Sequence, residues 1–293
     1  MVLKYKQELL YIGVLTPVIE IKEGKPMKKQ FEEKSIKEVS DIIADMSLMD
    51  DELIAKVFDD NIPATSVLLQ TILSDDVEIV SAKGQYEMKN PLAKGRNIRL
   101  DILAKDIKGN YFNCEVQRVS KNANAKRARF HSAMIDARML KSGQEFAKIN
   151  DSYVIFITEK DYYSKGKPVY YIERKIDDEE SFDDGSHIIY VNGSYNGDDN
   201  IGHLMSDLRN KSTIGFYNKE IENSVCHYKL EEGKSNMSEI VEKYAEKRAK
   251  EGRIEEKLKD IQALMQNLKC SAEQAMETLN VPKSEYNKYL SRL

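Results

Sequence analysis

The chain is poor in the features that announce many functions. Of 293 residues only three are cysteine, Cys114, Cys226 and Cys270, an odd number set far apart. That excludes a disulfide framework and reads as the reduced thiols of a cytosolic protein. No run of eighteen apolar residues occurs, so no membrane span is expected. The opening Met-Val-Leu-Lys-Tyr-Lys-Gln-Glu lacks the charged-then-apolar layout of a secretion signal. The four histidines, His131, His187, His203 and His227, do not have the spacing of a zinc site. A Gly-x-x-x-x-Gly-Lys loop is missing, which leaves ATP use unsupported. No serine or cysteine nucleophile constellation and no long internal repeat stand out. A formal net charge of −4 gives no ground for a general attraction to nucleic acid.

What is present is a soluble composition, 41% hydrophobic and 32% charged, with enough apolar residues for a real core. The most informative stretch runs from Arg99 to Arg118. Apolar and polar residues alternate on both sides of Asp106-Ile107-Lys108-Gly109-Asn110, which reads as a hairpin around a turn. A three-residue loop centred on Lys108, with Gly109 at positive φ, places Asp101 directly opposite Glu115. Gln117 then shares the face of Glu115, because side chains two apart point the same way. Two carboxylates facing each other repel, and a hard divalent cation is the usual way to offset that. The bland alternative is a solvated hairpin edge with scattered acids. A two- or four-residue loop would shift the register by one and separate the pair.

Basic residues follow at once. From Arg118 to Lys141, both included, there are seven Lys or Arg and one acid, Asp136. A basic segment beside an acidic pair suits a phosphate-rich substrate, and a solvated helix face explains it as well. Within it, Arg127 and Arg129 are candidates for gripping phosphates bidentately, and Lys126 for adding a point charge.

Residues 1–45 read as an N-terminal arm, 46–230 as the main domain and 231–293 as a helical C-terminal region. Helices are expected over 50–73 with an interruption at Pro63, over about 122–141, and over 202–209. Val77–Val80 and Tyr86–Met88 read as separate short strands. Tyr153–Thr158 and His187–Val191 read as strands covered on both faces, and 168–172 as a further strand. The six acids within 177–184 read as a solvated loop. Ser238–Leu268 reads as a long charged helix with Ile254, Leu258, Ile261, Met265 and Leu268 at heptad spacing. Ser271-Ala-Glu-Gln274 has the form of a capping box. The two short helices after it permit a helix-turn-helix, although a plain helical hairpin is the commoner outcome.

These segments resemble the PD-(D/E)XK nuclease superfamily, and more closely its Rpn-type recombination-promoting nucleases, or putative transposases. The resemblance is carried by Ile98-Arg-Leu-Asp-Ile-Leu-Ala104, Tyr111–Arg118, Asp50–Phe58, Lys126–Ser132, Ser152–Thr158 and His187–Gly193 with Gly197–Gly202, and covers roughly 46–210. It implies an α/β, restriction-endonuclease-like fold: a mixed central sheet flanked by helices, with a helical tail. It implies a metal-dependent DNA endonuclease in which Asp101 and Glu115 ligate Mg2+ (or Mn2+) and the carbonyl of Val116 completes the protein's share. Asp51 or Glu52 is a candidate upstream metal ligand. Gln117 occupies the position where most of the superfamily has lysine, so it positions water by hydrogen bonding and cannot act as an acid or base. DNA is the implied partner, with no membrane and with the C-terminal helices as a candidate homo-oligomerisation handle. The rival expectation is a non-catalytic descendant of the fold that binds DNA or protein.

Overall fold

The computed structural model describes residues 40–118, 120–177, 179–230 and 238–293. Most of the expected N-terminal arm, residues 1–39, lies outside the described residues. In chain order the elements are α1 (Asp51–Val57), α2 (Ile62–Leu73), β1 (Ile79–Met88), β2 (Ile98–Asp106), β3 (Tyr111–Gln117), α3 (Ala125–Asp136), β4 (Ser152–Thr158) and β5 (Val169–Ile172). They continue with β6 (Lys175–Ile176), β7 (Glu180–Ser181), β8 (Ser186–Asn192), α4 (Asn200–Arg209), α5 (Lys219–Leu230), α6 (Ser238–Leu268), α7 (Ala272–Thr278) and α8 (Tyr286–Leu290). Six strands form one mixed sheet in the order β1-β2-β3-β4-β8-β5. The β3-β4 and β4-β8 pairs are parallel and the other pairs antiparallel.

The sequence explains which strands sit in the middle. Val154 to Ile157 on β4 and Ile189 to Val191 on β8 are continuous apolar runs, and all are buried. Such runs suit strands covered on both faces. One face carries α1, α2, α4 and α5, whose Leu53, Ile54, Leu68, Leu69, Leu204 and Val225 pack with Ile102, Ala104, Phe112, Cys114 and Val116 of the sheet. The other face carries α3, whose Ala128, Met134 and Ile135 pack with Leu100, Val154, Phe156 and Tyr190. Cys114 therefore points away from α3, and burial followed by the nearby Glu115 and Asp101 charges pushes its thiol pKa far up.

The structure differs from the sequence reading at four places. β1 is one continuous strand rather than two pieces. Its polar middle, Ser81 to Gln85, pairs along β2 up to Met88–Ile98, so the ladder holds what side-chain pattern alone leaves unassigned. Gly84 is required there: a Cβ at that position would lie 1.8 Å from the carbonyl oxygen of Ala55, so β1 passes directly against α1. The acidic stretch 177–184, read as a loop, contains β7 of the small β6-β7 ribbon. The helix expected over 122–141 ends at Asp136, and α5 was not foreseen at all.

The C-terminal helices have their own core. Ile254 and Ile261 of α6 are buried with Ala275, Met276, Val281 and Tyr289, and Leu258 and Met265 pack beside them. The apolar stripe at heptad spacing is thus covered by α7 and α8 of the same chain, with Leu268 left exposed. The capping box at Ser271 and Gln274 is formed in both directions. No described helix is long and apolar enough to cross a membrane.

Candidate active site

The hairpin register decides what faces what. Asp106 N–H donates to the Asn110 carbonyl at 3.2 Å, enclosing the loop Ile107–Gly109 with Gly109 at φ +94°. The Asp106 carboxylate tightens the turn by accepting from the Asn110 backbone at 2.8 Å. Pairing then runs Lys105 with Tyr111 up to Ile102 with Cys114, so the next opposed residues are Asp101 and Glu115. There the backbone ladder stops. The Asp101 carboxylate takes its place, Oδ2 accepting from Val116 N–H at 3.0 Å. β2 also changes face at this point: Ile98 and Leu100 pack on the α3 side, whereas Ile102 and Ala104 pack on the opposite side.

Both acids are buried, Asp101 at 7% and Glu115 at 0% exposure. Burial raises the Asp101 pKa to about 7, the charge of Asp51 adds to the rise, and Val116 N–H, Arg127 and Arg99 oppose it. Burial first, then the charge of Asp101, raises Glu115 well above the ordinary carboxylate value, and Arg127 opposes. Two desolvated carboxylates that each oppose the other's ionisation are held at a cost, and that cost calls for a cation.

The cation present is Arg127. Its Nη2 donates to Glu115 Oε2 at 2.6 Å and its Nη1 to Gln117 Oε1 at 3.1 Å. Sequence reasoning had Arg127 reaching for phosphate; the structure turns it inward, because the nearest uncompensated charge is a buried carboxylate. On the same helix face His131 is 3% exposed. Its Nε2 accepts from Arg127 Nε at 3.3 Å, and its Nδ1 lies 3.1 Å from Asn113 Nδ2 and 3.7 Å from Glu115 Oε1. Burial, then the charges of Arg127 and Arg96, lowers the His131 pKa to about 4. Glu115 Oε1, Asn113 Oδ1 and Ser132 Oγ are buried without a hydrogen-bond partner.

A cavity of about 830 Å³ opens onto this group, lined by Asp51, Asp101 and Gln117 and by Arg96, Arg99, Lys126, Arg127 and Arg129. Glu115 lies behind Arg127 and does not line it. Lys126 and Arg129 are exposed on its wall as expected, and Asn124 caps α3 there by accepting from Arg127 N–H at 3.0 Å. Arg96 and Arg99 were missed. Strand parity could not have found Arg99, because β2 changes face between Leu100 and Ile102. Asp51 is brought to the cavity by its neighbour: Asp50 pairs with Arg118, which directly follows Gln117 and ties the start of α1 to the end of β3.

Among the described residues no group of three His, Cys, Asp or Glu is placed to hold a metal. The donor set nevertheless fits a hard cation: two buried carboxylates, one with an orphaned oxygen, and neighbouring amide oxygens. Mg2+ keeps several waters and commonly takes only one or two carboxylates from the protein, so a pair is a sufficient protein share.

Comparison with known proteins agrees with this geometry. No curated protein and no solved structure matches the chain at significant similarity. Residues 56–194, which contain the whole sheet and the Asp101–Glu115 pair, match the family model described as PD-(D/E)XK nuclease family transposase.

Proposed function

We propose that the protein is a metal-dependent DNA endonuclease whose metal is held by Asp101 and Glu115, with the Val116 carbonyl and Asp51 as further candidate ligands. The observation that carries this reading is a buried acid pair of which Asp101 lines a cavity walled by arginine and lysine and Glu115 lies directly behind Arg127. A divalent cation, Mg2+ or Mn2+, would supply Lewis acidity at a phosphoryl oxygen and a nucleophilic water at neutral pH. The rest is the work of the chain's own groups. Arg96, Arg99, Lys126 and Arg129 bind the phosphate backbone, and guanidinium suits bidentate contact. The N-terminus of α3, capped by Asn124, adds partial positive charge to the same wall. Gln117 fixes a water by hydrogen bonding and transfers no proton. Arg127 provides the positive charge that glutamine at position 117 lacks: it reaches the site from α3 and touches Glu115 and Gln117 together.

One observation favours a second reading, a DNA-binding descendant without catalysis: Arg127 closes Glu115 off from the cavity. Plasmid nicking in Mg2+ or Mn2+ separates the two. The parent protein is expected to nick, and Asp101→Ala and Glu115→Ala each to lose more activity than the ~10–100-fold typical of changes around, rather than at, a metal ligand. Nicking that persists unchanged in both variants rejects the site. DNA binding without nicking in the parent supports the second reading. Because α7 and α8 cover the heptad stripe of α6, a homo-oligomerisation role for the C-terminal helices would have to use their other faces; an unchanged assembly state after truncation at Glu232, measured by light scattering, ends that part.

A further inference from the structure

We infer that His131 is a positioning residue, fixed as the neutral Nδ1–H tautomer, and that it braces Arg127 against Glu115 from one face of α3. The inference rests on the metal reading above only for its second test.

The argument starts from what each group is able to do. A guanidinium only donates. Arg127 Nε donates to His131 Nε2 at 3.3 Å, so Nε2 is bare and the ring is not an imidazolium. The ring's proton is then on Nδ1. Asn113 Nδ2 is 3.1 Å from Nδ1, which as drawn sets two donors against each other, while Asn113 Oδ1 is buried with no partner. A half-turn of the amide lets Oδ1 accept from His131 Nδ1–H, at the loss of the Asn113 side-chain hydrogen bond that favours ionised Glu115. The oxygen and nitrogen of an asparagine amide are assigned from such networks rather than seen directly. The Nδ1 proton also lies beside Glu115 Oε1, at an N to O separation of 3.7 Å, the one oxygen of that carboxylate with no hydrogen bond.

Arg127 and His131 are four apart on α3 and so project from the same side. Arg127 Nη2 takes Oε2 at 2.6 Å. His131 leaves Oε1 free, 3.7 Å away, and braces the Arg127 guanidinium through Nε. The carboxylate plane of Glu115 is thereby set by a helix rather than by its own flexible side chain.

Two measurements test this. Long-range proton–nitrogen spectra of metal-free protein labelled with nitrogen-15 histidine report the tautomer, with the His131 signals assigned by their loss in His131→Gln. Protonated Nδ1 and bare Nε2 are expected; the opposite pattern overturns the inference. Calorimetric titration with Mn2+ then compares the parent with His131→Leu and His131→Gln. Loss of an outer support weakens metal binding by ~10-fold or more, so that loss is expected for leucine. Glutamine, with one acceptor and one donor group, is expected to restore most of it. Leucine binding Mn2+ as the parent does overturns the inference. A parent that binds no Mn2+ refutes the metal site instead, and the tautomer spectrum still decides the role of His131.

Discussion

At the scale of single residues, the site is organised by charges that cannot reach water. Asp101 has a folded pKa of about 7, against an ordinary value near ~3.9 in the unfolded chain. A raised value means that the folded state holds its proton more tightly. Its contribution is therefore fully present below about pH 4 and is lost as pH rises through 7. Asp101→Asn keeps an oxygen for Val116 N–H and carries no charge. In metal-free buffer the melting temperature of Asp101→Asn, relative to the parent, is expected to climb between pH 4 and 7 and level off above. At about 1.36 kcal/mol per pH unit, the gain at pH 8 is on the order of 4 kcal/mol. A difference that stays flat with pH would show that Asp101 is ionised without penalty.

Much of this residue-scale arrangement was legible in the sequence. Gly109 within Asp106–Asn110 sets the loop length, and loop length sets the register, so the opposition of Asp101 and Glu115 followed from local chemistry. His131 was not legible. Nothing in its neighbours tells a buried imidazole from an exposed one, because its burial comes from β3 and β4, which are distant in sequence. The inward turn of Arg127 was hidden for the same reason: its partners are Glu115 and Gln117 on another element.

At the scale of elements, the site depends on how closely α1 approaches the sheet. Gly84 permits that approach, and Arg118 with Asp50 holds the other end. Lys229 of α5 reinforces it, its Nζ donating to the Met46 carbonyl at 2.6 Å just ahead of α1. Gly84→Ala places a methyl group against the Ala55 carbonyl and forces α1 outward, carrying Asp51 with it. A loss of about 1–3 kcal/mol in denaturant unfolding is expected, the usual cost of overpacking. Unchanged stability would mean that α1 yields freely and does not set the position of Asp51. The elements that were hard to read are those whose patterns carry little contrast: the polar middle of β1, and α5, where only Ile221, Val225 and Lys229 are buried.

For the molecule as a whole, charge is segregated rather than absent. The chain carries −4 overall, yet five of the side chains that line the central cavity are arginine or lysine. Nucleic-acid binding is then expected to depend on salt through that wall and not through net charge. Each phosphate contact adds about 0.9 to the slope of log affinity against log salt for duplex DNA. Replacing Arg96 and Arg99 by glutamine is expected to lower the slope by about 2, read by fluorescence anisotropy across a salt series. A slope untouched by both changes would place the contacting surface elsewhere.

Cys114 stands back to back with the acid pair, on the strand that carries Glu115 but facing the opposite core. Its sulfur is sealed from solvent and its thiolate is strongly disfavoured, whereas Cys226 and Cys270 are partly accessible. The folded chain thus contains its own unfolding clock: an alkylating reagent reaches that sulfur only when β3 leaves the sheet. Mass spectrometry after timed iodoacetamide pulses should find Cys226 and Cys270 modified early and Cys114 late. A cation that tightens the acid pair should delay Cys114 further, so the carbamidomethylation rate of one cysteine registers occupancy on the far side of the strand.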